Sequence, residues 1–124
     1  MREILFRAKS VTTGGWFFVN IIHGVDAKKY MGLIWEDYQI IPETIGQYTG
    51  LKDSNGTKIF EGDIVTAKFK SNGARFNFEI RYNFKKGIYE FHNRCIGVLF
   101  DHIRSLRVIG NIHDNPELLE VNAE

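Results

Sequence analysis

A lone cysteine, Cys95, in 124 residues leaves no partner for an internal disulfide. The fold therefore needs no oxidising compartment, and a reducing cytoplasm is its expected location. Proline is limited to Pro42 and Pro116, too few for a stiff linker between domains. No apolar run approaches the length of a membrane span. The segment MREILFRAKS breaks its first apolar residues with charge and has no h-region, so no secretory leader is expected. Neither G-x-G-x-x-G nor G-x-x-x-x-G-K followed by Ser or Thr occurs, which argues against a phosphate-cradling loop. No repeat at a fixed period is visible.

What the chain does have is aromatic residues and glycine. Ten Phe, five Tyr and two Trp sit among twelve Gly. Bulky rings favour the pleated surface of strands and glycines favour tight turns, so a mainly β protein is expected. A composition 44% hydrophobic and 25% charged suits one domain with one substantial core at this length. The clearest periodicity runs from Arg75 onward. Phe76, Phe78, Ile80, Tyr82 and Phe84 alternate with Arg75, Asn77, Glu79, Arg81, Asn83 and Lys85. This period of two predicts a long antiparallel strand with the five apolar side chains buried. Lys85-Lys86-Gly87 then predicts a tight hairpin, with residues 88–92 returning.

Further strands are expected at residues 3–8, 16–23, 64–70 and 106–112, with a bend at Gly110, and at 33–41, where a short helix is the other reading and a strand is preferred. Pro42 is expected to end the strand at 33–41. Residues 24–32 read as a polar loop, and Ile96, Leu99 and Ile103 as a short helical face within 94–104. Asn115-Pro116-Glu117 predicts a short C-terminal helix, with Asn as cap, Pro at the first helical position and Glu complementing the positive end.

Residues 45–65, IGQYTGLKDSNGTKIFEGDIV, hold the densest local instructions. A short alternating strand leads into Asp53-Ser54-Asn55-Gly56, where Asp bonds downstream backbone and Gly56 supplies a positive φ. Ile59 and Phe60 return, and Glu61-Gly62-Asp63 turns a corner into the next strand, with Asp63 capping exposed N–H groups. This run, together with REILFRA at 2–8 and VIGNIHDNPELLE at 108–120, resembles the signature of the YopX family, small proteins encoded by bacteriophages and prophages.

The resemblance implies an SH3-like, partly open β-barrel with additional N-terminal strands and a short C-terminal helix. In that arrangement residues 1–44 form a possible N-terminal lobe and residues 45–124 the barrel. It marks Tyr48, Gly50, Asp53, Gly56, Glu61, Gly62, Asp63, Gly110, Asn111, Asn115 and Pro116 as a structural signature. It implies no reaction and no cofactor. Residues 14–41 and 71–106 match none of its motifs and are where a function particular to this chain is expected.

The residues themselves argue against catalysis. His92 and Cys95 have ligand-like spacing, and Asp101, His102, His113 and Asp114 follow, but one Cys among scattered His falls short of a zinc site. Arg94 beside Cys95 would favour a thiolate, yet no Cys-protease-like context surrounds it and Ile96 follows as in a packed core, so a buried structural thiol is expected. Glu36 and Asp37 pair on paper, while capping at the corner accounts for Glu61 and Asp63.

Charge is balanced overall at +1 but uneven along the chain. Residues 66–110 hold nine basic and three acidic residues, a local +6, while residues 111–124 hold four acids and no Lys or Arg, a local −4. Lys68, Lys70, Arg75, Arg81, Lys85, Lys86 and Arg94 form a candidate binding surface on aromatic-rich strands. Small barrels bind nucleic acid with basic grooves and exposed stacking rings, but the alternation turns these rings inward. Nucleic acid is therefore the alternative ligand. A non-catalytic protein–protein or homo-oligomeric assembly module is the expected function, one copy's acidic segment meeting another's basic hairpin. Its expected partners are a second copy, or a phage or host protein in the bacterial cytoplasm, with no membrane involved.

Overall fold

The computed structural model describes residues 4–20, 40–93 and 96–120. The loop expected at 24–32, most of the strand expected at 33–41, and both Arg94 and Cys95 lie outside the described residues. The chain divides into two compact units, Met1–Gly50 and Leu51–Glu124.

In the first unit, β1 (Leu5–Ser10) lies between β2 (Trp16–Asn20) and β3 (Ile40–Lys52), antiparallel to both. Ala8 and Ile40 are fully buried, with Phe6, Phe17 and Ile45 packed around them. Arg7 is also buried, its guanidinium 4.5 Å above the Trp16 ring, where a desolvated cation gains from the ring's negative face. Pro42 does not end the strand, contrary to the sequence expectation. Arg7 pairs with Gly46 but Lys9 with Ile41, so β3 bulges between these points. Pro42 sits in that bulge, where the ladder asks no N–H of it. Thr44 closes the irregularity, its Oγ1 accepting the Lys9 N–H at 2.8 Å and donating to the Ile41 carbonyl at 2.6 Å.

β3 continues past Gly50 into the second unit and turns through residues 53–57 into β4 (Lys58–Phe60). The turn is closed by the Asp53 N–H donating to the Thr57 carbonyl at 2.8 Å and the Gly56 N–H donating to the Asp53 carbonyl at 3.0 Å. Gly56 has φ +83°, as the sequence predicts. Gly56→Val is expected to destabilise the protein by about 1–2 kcal/mol through left-handed strain alone, since no neighbouring atom lies within 4 Å of where a Cβ would stand. A thermal melt unchanged from the parent's would contradict this.

The rest of the second unit is an antiparallel meander that curls into a half-barrel. It comprises β5 (Asp63–Phe69), β6 (Arg75–Asn83), β7 (Ile88–Asn93), β8 (Ile96–Val98), a 3-10 turn at Phe100–His102, β9 (Ile103–Asn111) and the short helix α1 (Glu117–Glu120). The strand order is β8-β7-β6-β5-β9, so the last strand returns beside the first. That closing pairing, after four sequential strands and a 3-10 turn, gives the sheet its SH3-like course. Its concave side carries Val65, Ala67, Phe78, Ile80, Phe91, Val98, Ile103 and Leu106, which form one buried core with Ile59 of β4. Among the described residues, 96–104 form no helical face, because Ile96 and Ile103 lie in β8 and β9 with only a single 3-10 turn between.

The alternating strand holds for Phe78 and Ile80, both 1% exposed, and Phe76 and Tyr82 are half-buried. It fails at Phe84, which is 87% exposed. The reason is Asn83. Its Oδ1 accepts the N–H groups of Lys85 and Lys86 at 3.0 and 3.1 Å, and its carbonyl accepts the Gly87 N–H at 2.8 Å. The turn therefore begins at Phe84, ahead of the lysines, and Phe84 leaves the pleat.

Candidate functional site

Most signature residues in the second unit direct their polar groups at backbone. Asp53 does the most. Its Oδ1 accepts the N–H groups of Asn55 and Thr57, both at 2.9 Å, and its Oδ2 accepts the Val108 N–H of β9 at 2.9 Å. Beside it, the Ser54 N–H donates to the Leu106 carbonyl at 2.8 Å. β9 is the outermost strand of its sheet, so these are groups that a stray strand would otherwise pair with. Burial pushes the Asp53 carboxyl up. The N–H groups of Val108, Thr57 and Asn55, with the Arg107 charge, outweigh it and hold the carboxyl below its ordinary value.

The corner is pinned similarly. Gly62, at φ +89°, donates its N–H to the Ile80 carbonyl and accepts the Ile112 N–H. Asp63 Oδ2 accepts the Phe60 N–H at 2.7 Å, and Glu61 is half-buried beside them. Asn111 Oδ1 accepts the N–H groups of His113 and Asp114 at 3.0 and 2.9 Å. Asn115 departs from the expected cap. Its side chain turns back to accept the Asn111 N–H at 3.4 Å, and its carbonyl takes the Leu118 N–H instead. A Cβ on Gly110 would stand 2.5 Å from that Asn115 oxygen, so only glycine lets the helix lie this close. Pro116 is exposed at the entry to α1. In β3, Tyr48 is 4% exposed and Gly50 has φ +87°.

The candidate basic residues divide into two groups. Lys68 in β5 stands opposite Arg75 in β6 and opposite Arg104 in β9, which places three cations side by side on the convex face. The next row is Asn77, Thr66 and Arg107. Arg75 Nη1 donates to Thr66 Oγ1 at 3.2 Å, and Lys70 is exposed in the turn after β5. At the other end of the sheet, Arg81 pairs with Glu79 at 2.9 Å and Lys86 with Glu90 at 3.7 Å, while Lys85 is exposed on the hairpin. Glu90 is itself buried. A hydrogen bond from Asn83 outweighs burial and, with the contacts from His92 and Lys86, holds its carboxyl below the ordinary value. Gly97 leaves room for this cluster, since a Cβ there would lie 3.1 Å from Glu90 Oε1.

Arg104 and Arg107 were missed by period-two reasoning, which sends residues three apart to opposite faces. A bulge opposite Thr66 and Lys68, with Ser105 at φ +55°, turns both outward. The remaining signal was their charge alone.

Two other features stand out. A groove of about 590 Å³ is lined by Phe69, Gly97 and Val98, with Lys70, Asp101 and His102 around it. Among the described residues no three His, Cys, Asp or Glu side chains gather as a metal set, and no helix is long and apolar enough to cross a membrane. At the β6–β7 tip, Phe84 stacks edge-on against Tyr82 at 5.0 Å between ring centres, and Tyr82 against Tyr89 at 5.1 Å. Ile88 beside them is 36% exposed.

Comparison with known proteins agrees with this architecture. Among solved structures, the crystal structure of protein EF1440 from Enterococcus faecalis is similar, with a TM-score of 0.54 and 27% sequence identity over 94% of this chain and 97% of that one. No curated protein matches the chain. The family model described as YopX protein matches residues 19–120, which include β3 through α1. Most of the sequence falls within that match, and the chain belongs to the YopX family.

Proposed function

We propose that this protein is a non-catalytic phage or prophage accessory protein of the bacterial cytoplasm that works by self-assembly through its β6–β7 hairpin tip. One observation carries the reading: Phe84 is 87% exposed. A phenylalanine held in water by an ordered turn costs solubility, and exposed aromatics backed by further rings are the usual anchors of protein interfaces. Tyr82, Tyr89 and Ile88 extend the apolar surface, and Lys85 and Lys86 rim it. The occupant that fits is a second copy. Residues 111–124 carry a local −4, with Glu117 exposed, which complements a basic tip. A stable assembly of this kind buries upwards of ~1,000 Å².

Light scattering across micromolar concentrations tests it. The parent is expected to associate, and Phe84→Ser to weaken association by about thirtyfold, the loss of one hot-spot anchor, with an unchanged melt. A parent monomeric throughout that range overturns the reading. Association indifferent to Phe84→Ser moves the interface away from the tip.

A further inference from the structure

The convex face of the half-barrel carries a second surface whose chemistry differs from that of the tip. Lys68 sits at the centre of a row with Arg75 on one neighbouring strand and Arg104 on the other. Directly opposed side chains in antiparallel strands are about 5 Å apart, and like charges so placed repel. Among the described residues none of the three has a carboxylate partner: Arg75 bonds a hydroxyl, and the ion pairs of Arg81 and Lys86 lie at the far end of the sheet. The bulge at Ser105 brings Arg104 and Arg107 to this face together, and a regular strand would have separated them. Arg75 and Arg104 are exposed and Lys68 half-buried.

We infer that this row, Arg75–Lys68–Arg104, is a binding site for the phosphodiester backbone of nucleic acid. An anion laid along it removes the repulsion between the three cations. Two of the three are arginines, whose forked donors match a phosphate's paired oxygens. The composition of the surface selects nucleic acid over an acidic protein. The row and the adjoining Asn77, Thr66 and Arg107 contain no apolar side chain, whereas a protein interface needs an apolar or aromatic anchor at its centre. Polar, strongly positive surfaces are characteristic of nucleic-acid interfaces. With no stacking ring on this face among the described residues, contact is with the backbone and independent of base sequence. The site shares no residue with the assembly tip, so each stands or falls separately.

Fluorescence anisotropy with labelled mixed-sequence oligonucleotides, single-stranded and duplex, tests the inference at several salt concentrations. Three phosphate contacts give a slope of log affinity against log salt of about −2 for a single strand and about −3 for a duplex. Arg75→Glu with Arg104→Glu is expected to abolish measurable binding, and Arg75→Gln with Arg104→Gln to cut the slope to about one-third, leaving one contact. Arg75→Lys with Arg104→Lys keeps the charge and should keep the slope. Arg81→Gln, six residues further along β6 and already engaged by Glu79, should change affinity less than about twofold, as expected for a charge beyond a Debye length. Failure of the parent to bind either oligonucleotide at low salt overturns the inference. So does equal loss in the Arg81 variant, or displacement by poly-glutamate as effective as displacement by unlabelled oligonucleotide. Thermal melts of each variant separate loss of the site from loss of the fold, and the Gln pair carries the test if the Glu pair unfolds.

Discussion

Phe78→Ala is expected to lower the free energy of unfolding by ~3–5 kcal/mol. Phe78 is 1% exposed on β6, pairs across the sheet with Val65, and meets Phe69 and Phe91 edge-on at 5.8 and 6.4 Å between ring centres. Truncation would remove the transfer energy of the ring and leave a cavity between two aromatic neighbours that cannot both collapse into it. Against a typical total of about 5–15 kcal/mol, that threatens the folded state. Phe84→Ala, six residues along the same alternating pattern, should change stability by less than about 0.5 kcal/mol because the side chain is already in water. Urea unfolding of the two variants measures the contrast. Similar losses at both positions would contradict the placement of the core.

Asp53→Ala should cost about 2–4 kcal/mol, since it strips three backbone donors of a charged acceptor at once. Two of those donors shape the turn, and the third belongs to the edge of β9. The variant should therefore also aggregate more readily, with the β9 edge open to strand pairing. Asp53→Asn retains one acceptor oxygen and should lose less. The pH dependence follows from the depressed carboxyl. A carboxylate held below its ordinary value adds stability that is complete above that value and is lost as pH falls through the folded one. The parent should accordingly lose stability in acid, below the ordinary carboxylate range, and Asp53→Asn should show a shallower acid slope. Hydrogen exchange at the Val108, Asn55 and Thr57 amides gives a local readout. Unchanged protection of all three in Asp53→Ala would show that the carboxylate does not hold them.

The β character of the chain was legible because its determinants are local. The alternation at Phe78 and Ile80, the Asp-Ser-Asn-Gly turn and the corner at Gly62 need only their neighbours to act, and each is found as the residues imply. What escaped the sequence depends on partners far along the chain. Pro42 lies inside β3 because a bulge facing β1 absorbs it, and the pairing of Lys9 with Ile41 that makes the bulge is thirty-two residues apart. Phe84 follows the alternating pattern in sequence, but Asn83 takes the next two N–H groups and ends the strand. Asn115 has the residue type of a helix cap, yet the nearby Asn111 N–H claims its side chain. The candidate surface shows the same division. Lys68 and Arg75 were legible as basic strand residues, whereas Arg104 joins them only through cross-strand register and a bulge.

Self-assembly through the hairpin tip is most directly tested by a charge-swap experiment in the ultracentrifuge. Lys85→Glu with Lys86→Glu reverses the tip, and Glu117→Lys reverses the exposed acid at the start of α1. If the tip of one copy meets the acidic segment of another, each variant alone should sediment as a more weakly associated species than the parent. An equimolar mixture should then recover association, because opposite charges face each other again across the mixed interface. A mixture no more associated than its components, or variants that assemble as the parent does, would contradict the proposed interface.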